Sequence, residues 1–259
     1  MTWTTRQRSE FGGLAVIAAG KGPRLLLIHG VGLRAEAWNA QIEELSENFE
    51  IIAPDLPGHG DSSLLSSPAK LADYSDSLAR LLDRPTVVAG HSLGALIALD
   101  LASRHSNRVQ GVAALNAIFR RSEEAWQAVK ERAAGLNGVS IADPSATLTR
   151  WFGGEPSPAR DACKAWLLSV NPQGYQTAYR VFAEEDGPAD EALRCLNCPA
   201  LFLTGELEPN STPSMSRAMA ELAPMGQVQV IDGAAHMMPM THAREVNTAL
   251  RRFVEGCQT

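Results

Sequence analysis

The chain has 259 residues, of which 45% are hydrophobic and 20% are charged, and its net charge is −6 at pH 7. This length allows one large domain with a sizeable core, and an acidic balance without a clustered basic face argues against a nucleic-acid partner. No run of about 18 apolar residues is present, and residues 1–8 lack the apolar segment of a signal peptide. We therefore expect no membrane partner and a cytoplasmic location.

Short apolar runs alternate with amphipathic stretches along the chain, which is typical of a mostly parallel sheet covered by helices. The apolar runs predict strands, and the amphipathic stretches predict the helices that connect them. In chain order, the predicted strands are residues 14–18, 24–28, 50–53, 86–89, 109–115, 200–204 and 228–231. The predicted helices are residues 38–45, 69–82, one that begins near 95, 123–134, 213–222 and 243–254.

Residues 118–190 interrupt this alternation because they contain no strong strand pattern. Their helical stretches are broken by glycines and prolines, and too little of the segment is continuously apolar to form its own core. We predict an α/β fold in which a mostly parallel twisted sheet, flanked by helices, has an inserted helical cap. The core would comprise residues 1–117 and 191–259, and the cap residues 118–190.

The sequence Gly-His-Ser-Leu-Gly at residues 90–94 lies between a predicted strand and a predicted helix. A G-x-S-x-G at such a turn is the pattern of a nucleophile elbow. The serine of an elbow has strained backbone angles, and small neighbours are needed for the close approach of the main chain. The helix that follows presents free N–H groups and its positive dipole end to developing negative charge. Ser92 is therefore the candidate nucleophile.

His236 is the candidate base for this serine. It lies just past the last predicted strand, in a loop of small residues at 232–236 that would let an imidazole reach across the sheet edge. The base must itself be oriented, and a carboxylate after a strand between the serine and the histidine would do this. Two carboxylates, Glu206 and Glu208, meet that condition, and composition alone does not separate them.

The four cysteines are expected to be free thiols. Cys195 and Cys198 have C-x-x-C spacing, but no second pair or nearby histidine completes a zinc site. The pair precedes an apolar strand and does not open a helix, as a thioredoxin-like redox motif would. We expect no metal and no cofactor. The other two cysteines are Cys163 and Cys257.

The whole chain resembles enzymes of the α/β-hydrolase fold superfamily, in which the serine, the acid and the histidine follow one another in this order. The resemblance implies a triad of Ser92, Glu208 and His236, and an oxyanion hole made by the backbone N–H groups of Val31 and Leu93. The matching segments are residues 29–30, 55–60 and 90–94, Gly205 with Glu208, and Gly233 with His236.

The family usually has aspartate where this chain has Glu208. Glutamate is one methylene longer, so the loop or the histidine must shift to keep the hydrogen bond. The alternative acid position, after the preceding strand, falls near Asn116, which has no charge. A serine at the elbow also excludes the haloalkane dehalogenases and epoxide hydrolases of this fold, which have aspartate there.

Residues 205–236 are similar to 3-oxoadipate enol-lactonases and small carboxylesterases. The resemblance therefore implies a serine esterase or lactonase acting on a small-molecule ester or lactone. Its pocket would lie between Ser92 and the cap. The candidates for an apolar pocket wall are Trp126, Trp151, Trp166, Met237 and Met238, and the candidates for a carboxylate-binding residue are Arg34, Arg120 and Arg180.

Other functions stay open from the sequence. A carbon–carbon bond hydrolase of the same fold is one, although residues 29–32 lack the Gly-Pro-Gly that often follows in those enzymes. A non-hydrolytic enzyme that uses Ser92 and His236 for proton transfer is another, and a ligand receptor with little turnover is a third. The sequence predicts no oligomeric state.

Overall fold

An eight-stranded sheet forms the centre of the structure, a computed structural model that describes residues 3–258. The strands are β1 (Ser9–Phe11), β2 (Leu14–Ala19), β3 (Arg24–Ile28), β4 (Glu50–Pro54), β5 (Thr86–His91), β6 (Val109–Leu115), β7 (Ala200–Gly205) and β8 (Gly226–Ile231). Their order across the sheet is β1-β2-β4-β3-β5-β6-β7-β8. Strands β3 to β8 run parallel, and β2 is antiparallel to both of its neighbours. The prediction that residues 1–8 lack the apolar segment of a signal peptide falls partly on residues 1 and 2, which lie outside the described residues.

Eleven α-helices connect or flank these strands within residues 3–258. They are α1 (Asn39–Leu45), α2 (Leu71–Ala79), α3 (Leu93–Arg104), α4 (Glu123–Ala134), α5 (Ser145–Phe152), α6 (Pro158–Ser169), α7 (Pro172–Glu184), α8 (Asp190–Arg194), α9 (Pro213–Leu222), α10 (Met238–Thr241) and α11 (Ala243–Gly256). A 3-10 helix, Ala35–Trp38, leads into α1. In this part of the chain, no helix has both the length and the apolar character to cross a membrane.

Both faces of the sheet are buried, which explains why its central strands read as continuous apolar runs. Side chains alternate along a strand, so in β3 Leu26 and Ile28 pack into one apolar cluster with α2 and α3. Leu25 and Leu27 point to the other face and pack with α11. The predicted fold, a mostly parallel sheet between two layers of helices, is confirmed.

Five helices, α4 to α8, lie between β6 and β7, and the first four, α4 to α7, form the inserted helical cap. The apolar side chains of α5 and α6 do not form a separate core. Leu148 and Leu167 pack in one cluster with Leu33 and Met237 of the sheet domain. The cap is therefore held by its contact with the core.

One of these contacts brings two backbones together. Gly174 in α7 and Gly58 in the loop after β4 face each other so closely that a Cβ on Gly174 would collide with the carbonyl oxygen of Gly58. A Cβ on Gly58 would lie 2.6 Å from the Cα of Gly174, and Gly58 has a φ of +75°. Only glycine at both positions allows the cap helix to come this near.

We expect Gly174→Ala to lower the free energy of unfolding by about 1–2 kcal/mol, measured by urea denaturation. Alanine in a helix interior is more stable than glycine by about 1 kcal/mol, but the collision with a backbone oxygen costs more because the oxygen cannot rotate away. Gly154→Ala is the matched control, since a Cβ there meets nothing within 4 Å. A stabilised Gly174→Ala variant would contradict the close contact of cap and core.

Three small elements differ from the sequence prediction. β1 was not predicted, because all three of its residues are exposed and show no apolar alternation. α2 is shorter than predicted and begins at Leu71, and the short helix α10 follows the loop of His236. Short or exposed elements bury too little apolar surface to leave a periodic pattern.

Candidate active site

Ser92 stands at the turn between β5 and α3, with φ 58° and ψ −118°. Left-handed backbone angles at a non-glycine residue cost on the order of 1–3 kcal/mol and persist only where the surroundings impose them. Here the imposing contacts are backbone to backbone. A Cβ on Gly90 would collide with the carbonyl oxygen of Gly94, and a Cβ on Gly94 would collide with that of Ile28. The two glycines let strand, turn and helix pack tightly enough to expose the hydroxyl of Ser92.

The residues next to Ser92 supply two backbone N–H groups at this edge of the sheet. Leu93 is the first residue of α3, so its N–H has no carbonyl within the helix to donate to. Val31 follows Gly30, and a Cβ on Gly30 would lie 3.1 Å from the Cβ of Ser92. The loop that contains Val31 therefore runs directly beside the serine.

Two buried histidines hold that loop in place. His59 Nε2 accepts a hydrogen bond from the N–H of Gly32 (3.0 Å), and its Nδ1 donates to the carbonyl of Pro57 (3.2 Å). His29 Nε2 accepts from the N–H of Leu56 (2.9 Å). Burial and the neighbouring His29 lower the pKa of His59 to about 3, so it stays neutral and can accept. These histidines order the loop and do not face the cavity.

His236 and Glu208 meet at 2.7 Å, through Nδ1 of the imidazole and Oε2 of the carboxylate. The other carboxylate oxygen, Oε1, accepts hydrogen bonds from the N–H groups of Asn210 (2.8 Å) and Ser211 (3.3 Å). Burial raises the pKa of Glu208, but the attraction of His236 and the hydrogen bonds outweigh it and bring that pKa to about 2. Glu208 is therefore ionised at neutral pH.

The structure brings Glu208, not Glu206, to the histidine. Glu206 is exposed, and its carboxylate accepts from the N–H of Gly233 at 2.9 Å. The choice that composition left open is thus decided by the turn between the two residues, which directs one side chain inward and the other to solvent.

The backbone of His236 is also held by hydrogen bonds. Its carbonyl accepts from His91 Nε2 and from Asn116 Nδ2, each at 2.8 Å. Asn116 Oδ1 in turn accepts from the N–H of Gly205 at 3.3 Å. The uncharged residue at the alternative acid position therefore links β6, β7 and the histidine loop.

Ser92 and His236 both line a cavity of about 380 Å³ between the sheet domain and the cap. Three of the cap helices each give it one face, at helical spacing: residues 125, 128, 129 and 132 of α4, residues 147, 150 and 151 of α5, and residues 175, 179 and 182 of α7. Such i, i+3, i+4 and i+7 positions share one side of a helix. The cap therefore closes the cavity with three helical stripes.

Of the five side chains predicted for the pocket wall, one, Trp151, lines this cavity, and its ring stacks on His236 with centroids 5.5 Å apart and planes at 25°. Trp126 is off the stripe of α4, and its Nε1 donates to the carbonyl of Ala183 at 3.1 Å. Trp166 packs edge-on against Trp3, and Met237 is buried in the cluster between core and cap. The fifth residue considered, Met238, is buried in the core on the other face of the sheet. A large side chain does not reveal which face of its helix meets the cavity.

The charged residues of the wall are Arg121, Arg132 and Arg150, which sequence reasoning missed. The three candidates named from the sequence lie elsewhere, and each is occupied or exposed. Arg34 bonds to Glu36 at 2.9 Å, Arg120 pairs with Asp190 at 2.6 Å, and Arg180 is on the exposed side of α7. The i+3 spacing of Arg132 from Val129 is the signal that could have found it.

The sequence model of the alpha/beta hydrolase family matches residues 25–249. Over 242 residues the chain is 39% identical to the (E)-2-((N-methylformamido)methylene)succinate hydrolase of Acinetobacter baylyi, covering 91% of this chain and 92% of that protein. It is 31% identical over 248 residues to the pimeloyl-[acyl-carrier protein] methyl ester esterase of Stenotrophomonas maltophilia, covering 92% and 95%.

Two solved structures have the same fold. A thermophilic esterase from Thermogutta terrifontis, determined with malate bound, superposes with a TM-score of 0.84 at 28% identity and covers 98% of both chains. The enol-lactonase from Burkholderia xenovorans superposes with a TM-score of 0.83 at 22% identity, covering 96% of this chain and 99% of that one. The second likeness concerns the fold alone.

Proposed function

The chain belongs to the alpha/beta hydrolase family, and we propose that it is a serine hydrolase that cleaves a small carboxylic ester, lactone or amide through an acyl-enzyme on Ser92. The observation that carries this proposal is the ionised Glu208 at 2.7 Å from His236, with His236 and the strained Ser92 on the wall of the same cavity.

In the proposed reaction, His236 acts first as the base. Because Nδ1 is bonded to Glu208, Nε2 is the nitrogen that takes the proton of Ser92 as its oxygen attacks the substrate carbonyl. Glu208 fixes this tautomer and stabilises the imidazolium. The imidazolium then gives its proton to the leaving group as the acyl-enzyme forms. Water repeats the sequence, releasing the acid and restoring Ser92.

The tetrahedral intermediate needs hydrogen-bond donors for its negative oxygen. We assign this role to the backbone N–H groups of Leu93 and Val31, which flank Ser92 from the helix side and from the loop side. Donors fixed in position before the reaction need not reorganise, and removing one typically raises the barrier by about 3 kcal/mol. The hydrogen bond from Gly32 to His59 supports this role, because it fixes the loop next to Val31.

The cavity and the relatives support a small substrate. About 380 Å³ is within the range of roughly 300–1,000 Å³ that small-molecule sites occupy. The Acinetobacter relative acts on a succinate with an N-methylformamido group, which favours an amide as the bond cleaved, while the esterase relatives favour an ester. Both bonds share the attack on a carbonyl, and one serine mechanism serves them.

The test is labelling with a fluorophosphonate followed by intact mass and peptide mapping, together with hydrolysis of p-nitrophenyl acetate. We expect one adduct, located on Ser92, and burst kinetics from the accumulating acyl-enzyme. A receptor would bind ligands with neither adduct nor turnover. A non-hydrolytic enzyme or a carbon–carbon bond hydrolase would leave the ester intact, and either result would overturn the proposal.

A further inference from the structure

The cavity beside Ser92 has the opposite charge to the rest of the molecule. The chain has a net charge of −6, yet among the described residues that line the cavity there are three arginines and neither aspartate nor glutamate. The one carboxylate close behind the wall, Glu208, is neutralised by His236 and two backbone N–H groups. The space in which a substrate would lie is therefore cationic.

The arginines of the wall lack the partners that other arginines of this chain have. None of the ion pairs found within residues 3–258 involves Arg121, Arg132 or Arg150. Their side-chain hydrogen bonds run to neutral oxygens. Arg132 donates to the hydroxyl of Tyr179 at 2.9 Å, and Arg150 donates to that of Thr147 at 3.3 Å.

Arg121 is the most satisfied of the three. It donates to the carbonyls of Glu185 and Phe182 and lies over the ring of Phe182, 4.5 Å from its centroid. The carboxylates of Asp186 and Glu185 also act on it electrostatically. Arg150 and Arg132 are therefore the two charges that remain for a ligand.

Arg150 and Arg132 also repel each other. Arg150 is half-buried, and burial together with the charge of Arg132 lowers its pKa. The two positive charges face the same cavity, and Arg150 is half-buried and has no carboxylate paired with it. This arrangement is unfavourable unless an anion binds to both groups. Guanidinium groups match carboxylates in shape, through two parallel N–H···O bonds.

Arg150 lines the same cavity as Ser92 and His236. It precedes Trp151, whose ring stacks on His236, and Glu208 is close enough to affect its charge. Arg132 is an exposed residue of α4 and lines the same cavity. A carboxylate bound by the two would be held within the same small cavity as the carbonyl that Ser92 attacks.

Resting on the proposed function, we propose that Arg150 and Arg132 bind a free carboxylate of the substrate, so that the enzyme selects esters or amides derived from small di- or tricarboxylic acids. A neutral acyl chain of the same length would fit the cavity but would leave both guanidinium groups unpaired. We therefore expect carboxylate-bearing substrates to bind more tightly than neutral ones, while the chemical step at Ser92 stays the same.

The first experiment measures binding without catalysis, by isothermal titration calorimetry of the wild type with succinate and with butane-1,4-diol, a neutral compound of the same chain length that has no ester or amide bond. We expect succinate to bind and Arg150→Gln or Arg132→Gln to weaken it roughly 10- to 100-fold. Arg180→Gln, on the exposed side of α7, is the matched control and should bind as the wild type does. Succinate that fails to bind the wild type, or binds all variants equally, would overturn the proposal.

The second experiment compares two nearly isosteric esters, mono-p-nitrophenyl succinate and p-nitrophenyl butyrate. We expect Arg150→Gln and Arg132→Gln to raise KM for the anionic ester roughly 10- to 100-fold while kcat/KM for the butyrate stays within about threefold. Equal losses on both esters would mean a structural role and would contradict the assignment. Arg150→Lys should recover part of the loss, because it restores the charge without the planar fork.

The two experiments separate failure of the inference from failure of the proposed function. If succinate binds in an arginine-dependent way but neither ester is hydrolysed, the carboxylate site stands and the esterase proposal falls. If both esters are hydrolysed with no preference and no effect of the arginines, the esterase proposal stands and the carboxylate site falls.

Discussion

Replacing Ser92 with alanine is expected to lower kcat for a p-nitrophenyl ester by roughly 10⁴- to 10⁶-fold. The variant has no nucleophile, so His236 can only activate water from a distance, and no acyl-enzyme forms. Binding is expected to change little, because the side chain loses one oxygen and the cavity keeps its wall. Initial rates, burst amplitude and fluorophosphonate labelling measure the three effects.

The strained turn adds a second expectation for Ser92→Ala. The backbone angles of residue 92 are imposed by the contacts of Gly90 and Gly94, so alanine should keep them and the variant should unfold at a similar urea concentration. Ser169→Ala, at an exposed position of α6, is the matched control for both rate and stability. Substantial turnover by folded Ser92→Ala would assign the chemistry to another group.

Glu208→Gln is expected to lower kcat by about 10⁴-fold, the size of the effect when a triad carboxylate becomes an amide. The hydrogen bonds of Glu208 give the reason. Its Oε1 accepts from the N–H groups of Asn210 and Ser211, and its Oε2 accepts from His236. Glutamine has one oxygen, which satisfies the two N–H groups when the NH₂ faces Nδ1. The imidazole then has its proton on Nε2 and cannot take the one from Ser92.

Glu206→Gln is the matched control, two residues away on the same loop. Glu206 is exposed and accepts a hydrogen bond from the N–H of Gly233, so the rate is expected to stay within about twofold of the wild type, as for most surface changes. If Glu206→Gln lost the activity and Glu208→Gln kept it, the proposed acid would be wrong.

A comparison of the wild type with Glu208→Gln also tests how stability depends on pH. The pKa of Glu208 falls from 4.5 to about 2 on folding, so its ionised form stabilises the fold above about pH 4.5, and this contribution is lost as the pH falls toward 2. The stability of the wild type relative to Glu208→Gln should therefore decrease between about pH 5 and pH 3 in urea titrations. A constant difference over that interval would mean that Glu208 is not strongly ionised in the folded state.

The sequence predicted the fold well because the fold is stabilised by the burial of apolar strands. Strands with both faces covered leave continuous apolar runs such as residues 24–28, and the elbow leaves two obligatory glycines around Ser92. These signals are local in the chain. β1 left none, since its residues are exposed and its pairing with β2 is all that defines it.

The arrangement around the serine could be predicted only in part. Both Glu206 and Glu208 follow β7, and the turn geometry that separates them is not a composition signal. Arg120 and Arg121 are adjacent in sequence, yet one pairs with Asp190 on the surface and the other turns into the cavity. Which side of a cap helix meets the core depends on contacts between distant segments, such as Gly58 with Gly174.

Trp151 belongs to the cap, while His236 belongs to the core, and their rings are stacked. The indole therefore shields one face of the imidazole from water. A displacement of α5 that widens the cavity to admit a substrate would also wet the base, and the return of α5 would dry it again. Loading of the cavity and dehydration of the base would thus both depend on one helix.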